Sequence, residues 1–249
     1  MLLVFIGNLA FSLASLVFGI RLCLLARRTR ELPELLLGVS FLFGGFLANT
    51  LGWVLYTPLR PEPPLLGTLF MVLRACVASA GALLLLLAWR VFRPHSAWAG
   101  FVVVALWAVL VSYVCVDLRS GRTLAPETMH NPLYWAHSLA VMAPYFWLFA
   151  ESLHYQALIR RRWRIGLPAD LVVAARMRFW AIGMGAEALM FLTLEVIRVI
   201  GALTGKPVFP ALLVSALGVV CTGALWMAFF LPESQRRRIQ RQAASPPAA

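Results

Sequence analysis

The sequence predicts an all-α membrane protein of seven transmembrane helices, with the N-terminus outside and the C-terminus in the cytoplasm. Three observations lead there. Of the 249 residues, 61% are hydrophobic and 13% are charged, whereas a soluble domain is about half apolar and a quarter charged. Seven apolar runs, near 2–26, 34–56, 66–91, 98–117, 132–156, 179–202 and 210–231, each reach the roughly 20 residues needed to cross ~30 Å of hydrocarbon. The basic residues between the runs are unevenly distributed, which sets the orientation.

With the N-terminus outside, the inner loops and tail hold fifteen of the 22 basic residues: Arg27, Arg28, Arg30, Arg90, Arg93, Arg160, Arg161, Arg162, Arg164, Arg176, Arg178, Arg236, Arg237, Arg238 and Arg241. The outer loops hold four, Arg60, Arg119, Arg122 and Lys206. The net charge of +12 is therefore a topological signal, and no nucleic-acid partner is expected. The aromatic residues follow the same frame. Trp53, Tyr56, Tyr113, Tyr134 and Trp135 fall at the outer interface and Trp89, Trp98, Trp163 and Trp180 at the inner one.

The first run has no basic residues before it and is longer than a signal-peptide core, so it is expected to be retained as a span. "RRTRELP" ends it, and its proline starts the second run, where Gly44, Ala48 and Gly52 are expected to form a close-packing ridge beside Asn49. "TPLRPEPP" ends the second. The third carries Arg74 on one face with Ala78 and Gly81 and stops at "RPHS". The fourth is followed by the outer loop "DLRSGRTLAPETMHN". In the fifth, Pro144 removes a backbone donor and is expected to kink the helix near His137 and Tyr145. The sixth carries Glu187, Glu195 and Arg198 and ends at "TGKP"; the seventh has a small polar face of Ser215, Gly218 and Thr222. The tail, 233–249, is basic and is expected to be disordered after an initial helical turn. "RRTRELPELLL" is echoed by "RRWRIGLPADLVV" after the fifth run, as two parallel three-helix units joined by the fourth would require.

Charged groups in hydrocarbon are costly and turn inward to pair or line a cavity. At 1.5 Å per residue, Asn8, Asn49, Arg74, His137 and Glu195 all fall about 8–12 Å below the outer boundary. Glu187 lies ~20 Å down and projects on the same helical face as Arg198. The expectation is one inter-helix cluster of Arg74, Glu187, Glu195, Arg198, Asn49, His137 and Asn8, in which Arg74 pairs with Glu195 or Glu187.

Other chemistry has little footing. Cys23, Cys76, Cys115 and Cys221 sit in four different runs without CxxC spacing. "ESLH", Glu151 to His154, has a spacing used in di-iron bundles but has no second such motif, and a pair between Glu151 and Arg21 is the expected structural role. No histidine opposes His137 or His154 for a haem, and Lys206 lies in a loop rather than where a retinal Schiff base would form. Neither metal, cofactor nor catalytic residues are expected. The reading is a multi-pass protein of the cell membrane, receptor- or sensor-like. It would take a small ligand from outside in the polar cluster and present its arginine-rich face to a cytoplasmic partner. A small-solute transporter of 3+1+3 helix type and a non-catalytic scaffold are the alternatives.

Overall fold

The structure, a computed structural model, describes residues 2–56, 63–120, 131–204 and 211–244, and these are helical throughout apart from short turns. We label the helices α1 (Leu2–Thr29), α2 (32–56), α3 (Pro63–Phe92), α4 (Ala97–Ser120), α5 (Pro132–Arg164), α6 (Leu171–Thr204), α7 (Ala211–Phe229) and α8 (Glu233–Ala244). A membrane offers backbone groups no water to bond, so a chain crossing it has to close its hydrogen bonds within each helix. Helices α1, α2, α3, α4 and α6 are each long and apolar enough to cross one; α7 and α8 together make a sixth candidate, bent by 66°.

α5 is the exception, and its packing explains why. It lies against α3, α4 and α6, so Tyr134, Ser138, Tyr145, Glu151 and Ser152 are buried in protein. Polar side chains on a face buried against other helices avoid the lipid, while the open face of α5 stays apolar with Leu139, Phe146 and Leu153 exposed. It runs as one helix through the buried Pro144. The room expected beside a kink there is filled, because Tyr145 packs on Phe191 with ring centroids 5.0 Å apart.

The turns follow from their residues. α1 ends at Arg30, whose φ of 59° directs the chain away, and its N–H bonds the Ala26 carbonyl at 2.8 Å. α5 ends at Gly166 with φ 75°, a conformation open to glycine at no steric cost. The N–H groups of Gly166 and Leu167 bond back to Trp163 and Arg162, each at 3.0 Å. Asn131 caps α5 through Leu133 N–H at 2.9 Å, and Asp170 caps α6 through Val172 and Val173 at 2.8 and 3.1 Å. The two echoed segments share a helix end at positive φ and differ in the proline, since Pro33 lies in the first turn of α2 while Pro168 lies three residues before α6.

Six helices form a closed ring in the order α1, α2, α3, α5, α6, α7, with α7 returning to α1. Its centre is one apolar cluster to which all six contribute, including Phe18, Leu37, Leu84, Leu148, Met184 and Leu225. α4 stands outside the ring, across the α3–α5 seam, over a second cluster of Leu85, Val103, Leu110 and Val141. The ring order is unchanged when α1, α2 and α3 are exchanged with α5, α6 and α7.

Close approach relies on small residues. On α1 and α2, a Cβ at Gly19 would lie 3.0 Å from the Gly38 carbonyl, and one at Gly38 would lie 3.0 Å from that of Gly19. α2 is not a uniform helix: Phe41–Ala48 is π-helical between α-helical Leu32–Ser40 and Asn49–Tyr56. The extra residue per turn breaks the four-residue ridge expected at Gly44, Ala48 and Gly52. Gly44 faces Ala80, Gly45 faces Ser15 and Ala48 is buried, while Gly52 faces open space. At the far end, Glu233–Ala244 is a full helix where little more than a turn was expected.

The outer surface is apolar. Leu9, Leu13, Val17, Ile20 and Leu24 form one stripe along α1, each 45–55% exposed. Leaving them so in water would forgo roughly 1 kcal/mol apiece, on the order of the low end of a whole domain's net stability. Lipid removes that cost. For the tight crossing, Gly38→Leu is expected to destabilise by about 1–3 kcal/mol through overpacking against the α1 backbone. It should lower the midpoint of thermal unfolding in detergent, whereas Gly52→Leu should leave it nearly unchanged.

Candidate functional site

The seven polar residues singled out from the sequence divide into three places. The largest group lies on α3, α4, α5 and α6. Glu195 is buried on the α5–α6 seam and accepts from Tyr134 Oη at 2.8 Å, Ser138 Oγ at 3.2 Å and Arg198 Nη1 at 2.7 Å. Arg198 also donates to Tyr134 Oη at 3.2 Å, and its side chain is 49% exposed. A carboxylate receiving three donors, one of them cationic, is well matched to burial.

Beside this, Arg74 Nη1 donates to Tyr113 Oη at 2.7 Å, with its guanidinium 5.2 Å from the Tyr113 ring centroid. His137 stacks on the other tyrosine contact surface, its ring 4.0 Å from that of Tyr113. His137 stands on the same face of α5 as Tyr134 and Ser138, so that helix joins the two groups. His137 Nε2 is buried and meets no hydrogen-bond partner among the described residues.

The expected pairing of Arg74 with Glu195 or Glu187 does not form. Tyrosine hydroxyls from α4 and α5 reach the two charges at shorter range, and Glu195 takes its cation from its own helix, three residues on. Three members of the network, Tyr113, Tyr134 and Ser138, were not among the expected site residues. Tyr113 and Tyr134 had read as interfacial aromatics. The signal that finds two of them is spacing: Tyr134, His137 and Ser138 stand at i, i+3 and i+4 on one face of α5.

Asn49 and Asn8 belong elsewhere. Asn49 Nδ2 donates to Ser12 Oγ at 2.8 Å and to the Asn8 backbone carbonyl at 3.4 Å, which ties α2 to α1. The Asn8 side chain takes no part in that bond. Glu187 is in a third place, about 16 Å along α6 from Arg198 despite their common face. It is 8% exposed, on the α6 side that faces α7, and its Oε2 meets no hydrogen-bond partner among the described residues. Thr222 Oγ1 on α7 is also buried and without a partner.

At the arginine-rich end Glu151 pairs with Arg93, at 2.6 and 3.3 Å, and accepts from Trp147 Nε1 at 3.3 Å. The expected pair with Arg21 is absent, since Arg21 lies over the Phe230 ring at 4.1 Å instead. His154 of the "ESLH" motif, one turn on from buried Glu151, is exposed. Among the described residues no three of His, Cys, Asp and Glu gather closely enough to hold a metal ion.

Compared with protein-family models, curated proteins and solved structures, the chain matches none of them. The network has to be judged on its own geometry. Because Tyr134 and Glu195 bond directly, Tyr134→Phe and Glu195→Gln should be non-additive. A double-mutant cycle on unfolding midpoints is expected to give about 1–2 kcal/mol of coupling, and additive effects would disprove the shared bond.

Proposed function

We propose that the chain is a seven-span protein of the cell membrane, with its arginine-rich end in the cytoplasm, and that it works as a sensor. A small polar ligand from the opposite side engages the network of Arg74, Tyr113, His137, Tyr134, Glu195 and Arg198. The carrying observation is convergence: four helices send polar side chains to one place, where the buried His137 Nε2 still has an acceptor or donor position to satisfy. Arg198, half exposed, stands at the edge of the network. A ligand that takes Arg198 or His137 as partner redistributes the bonds on Glu195 and so changes the α5–α6 seam. Both helices run on to the arginine-rich end, where a cytoplasmic protein with an acidic surface would meet them.

A thermal-shift screen of purified protein against small polar metabolites tests this. At least one compound is expected to raise the unfolding midpoint of wild type, with the shift abolished in His137→Ala and Arg74→Gln and kept in Asn49→Ala. No response that depends on the network would reject the sensor reading.

One observation favours the carrier alternative. The ring order maps onto itself when its two three-helix halves are exchanged, and in both halves the first helix ends at a residue of positive φ. Glu187, buried with an unpartnered oxygen near the ring centre, would then be the coupling group. In proteoliposomes a carrier would give solute uptake that Glu187→Gln reduces at least tenfold while His137→Ala spares it. Absence of uptake leaves the sensor as the better account.

A further inference from the structure

A cluster of arginines lies apart from the polar network, and most of it enters no salt bridge among the described residues. It lines a cavity of about 1280 Å³ between the end of α5, the start of α6 and α8. Arg160 and Arg164 come from α5, Arg178 from α6, and Arg238 and Arg241 from α8. None of the described residues of its wall is a carboxylate, and none of these five arginines forms a salt bridge among the described residues. A sixth arginine of the wall, Arg237, is paired with Glu233 of its own helix at 3.1 Å.

Five like charges held around one space repel each other, and that repulsion is relieved by a polyvalent anion. Guanidinium forks match phosphate oxygens in pairs, more closely than a lysine ammonium would. The floor is of different character: Trp163, Phe179, Leu171 and the buried Ala174 are apolar. A cavity with a cationic rim and an apolar floor fits an amphiphile better than a free ion. Its position agrees, because α8 bends 66° away from α7 at the end of the bundle, and Ile239, its one large apolar side chain, is on the cavity wall.

We infer that this cavity binds the phosphate headgroup of an anionic phospholipid, with α8 closing over it as a clamp. The binding is separate from the polar network near the other end. It needs only that this end lie at a bilayer surface, where basic pockets between helices meet acidic headgroups. A bound lipid would draw α8 onto α5 and α6, ordering the surface offered to a cytoplasmic partner.

The test uses the full chain in a neutral detergent, titrated with dioleoylphosphatidylglycerol, dioleoylphosphatidylcholine or inorganic phosphate, and followed by native mass spectrometry and by thermal unfolding. Phosphatidylglycerol is expected to remain bound and raise the unfolding midpoint, with phosphatidylcholine doing neither. Arg164→Gln combined with Arg238→Gln should weaken that binding about tenfold or more. Arg27→Gln combined with Arg28→Gln removes the same charge away from the cavity and should leave binding nearly unchanged. A second pair, Arg178→Gln with Arg241→Gln, repeats the test if the first variant is not folded by circular dichroism. Equal weakening by the Arg27 and Arg28 variant would overturn the site in favour of diffuse charge attraction. Saturation by inorganic phosphate alone, with no added effect of lipid, would overturn the lipid as the source of the phosphate. Equal retention of both lipids would overturn the headgroup recognition altogether.

Discussion

A carboxylate buried between two helices has to meet donors at its own depth, and Glu195 is the residue on which this bundle's arrangement turns. Tyr134 and Ser138 reach it from α5 and Arg198 from α6, which sets both the rotation and the axial register of two helices 33 and 34 residues long. Other contacts follow from that register. With Tyr134 and Ser138 turned to α6, His137 is carried onto Tyr113, where Arg74 is already bonded. Toward the other end of the same helix, Glu151 is delivered to Arg93, just past α3. Bonds of this kind add little net stability each, about 1 kcal/mol and up to about 3 where a charge is involved. Leaving one partner unpaired costs more, so their effect is to reject other registers.

The opposite side of the ring is held by a different force. Between α1 and α2 the approach is set by glycines, with Gly19 and Gly38 each beside the other's backbone carbonyl. Where lipid is as apolar as leucine, such close packing and the bonds of Asn49 to α1 replace the hydrophobic drive between helices. The π-helical turn of α2 adjusts the register so that Gly44 meets α3 and Gly45 meets α1. α4 takes little part in closing the ring. It shields the α3–α5 seam, donating from Trp107 Nε1 to the Ala82 carbonyl at 2.9 Å.

These two halves place the polar network and the arginine cavity at opposite ends of α5 and α6. At 1.5 Å per residue each of these helices is about 50 Å long, so one pair of rigid rods carries both features. Coupling between distant sites needs an element with two arrangements. The candidates are the α5–α6 seam, whose bonds on Glu195 can be exchanged, and α8, joined to α7 only by a short bend.

Composition alone determined that the chain is helical and that most of its helices can live in lipid. Both depend on the counts and runs of apolar side chains, which are written along the chain itself. Some helix ends were legible, as at the proline of position 33, whereas the caps Asn131 and Asp170 had not been singled out and α6 begins at Leu171, ahead of the run expected from 179. A shared depth was expected of Asn8, Asn49, Arg74, His137 and Glu195 because rise per residue is nearly constant, and Arg74 and His137 do meet on the ring of Tyr113. Rotation could not be read in the same way. A helix with apolar residues on every side gives no amphipathic stripe to show which neighbour each face meets. Arg74 therefore met Tyr113 rather than Glu195 or Glu187, Asn49 turned to α1, and Glu187 stayed apart, buried farther along α6. The closed order of the ring, the π turn in α2 and the gathering of arginines from three helices around one cavity were likewise decided only in three dimensions. Each is a relation between segments far apart in the chain, and such a relation is set by packing rather than by local preference.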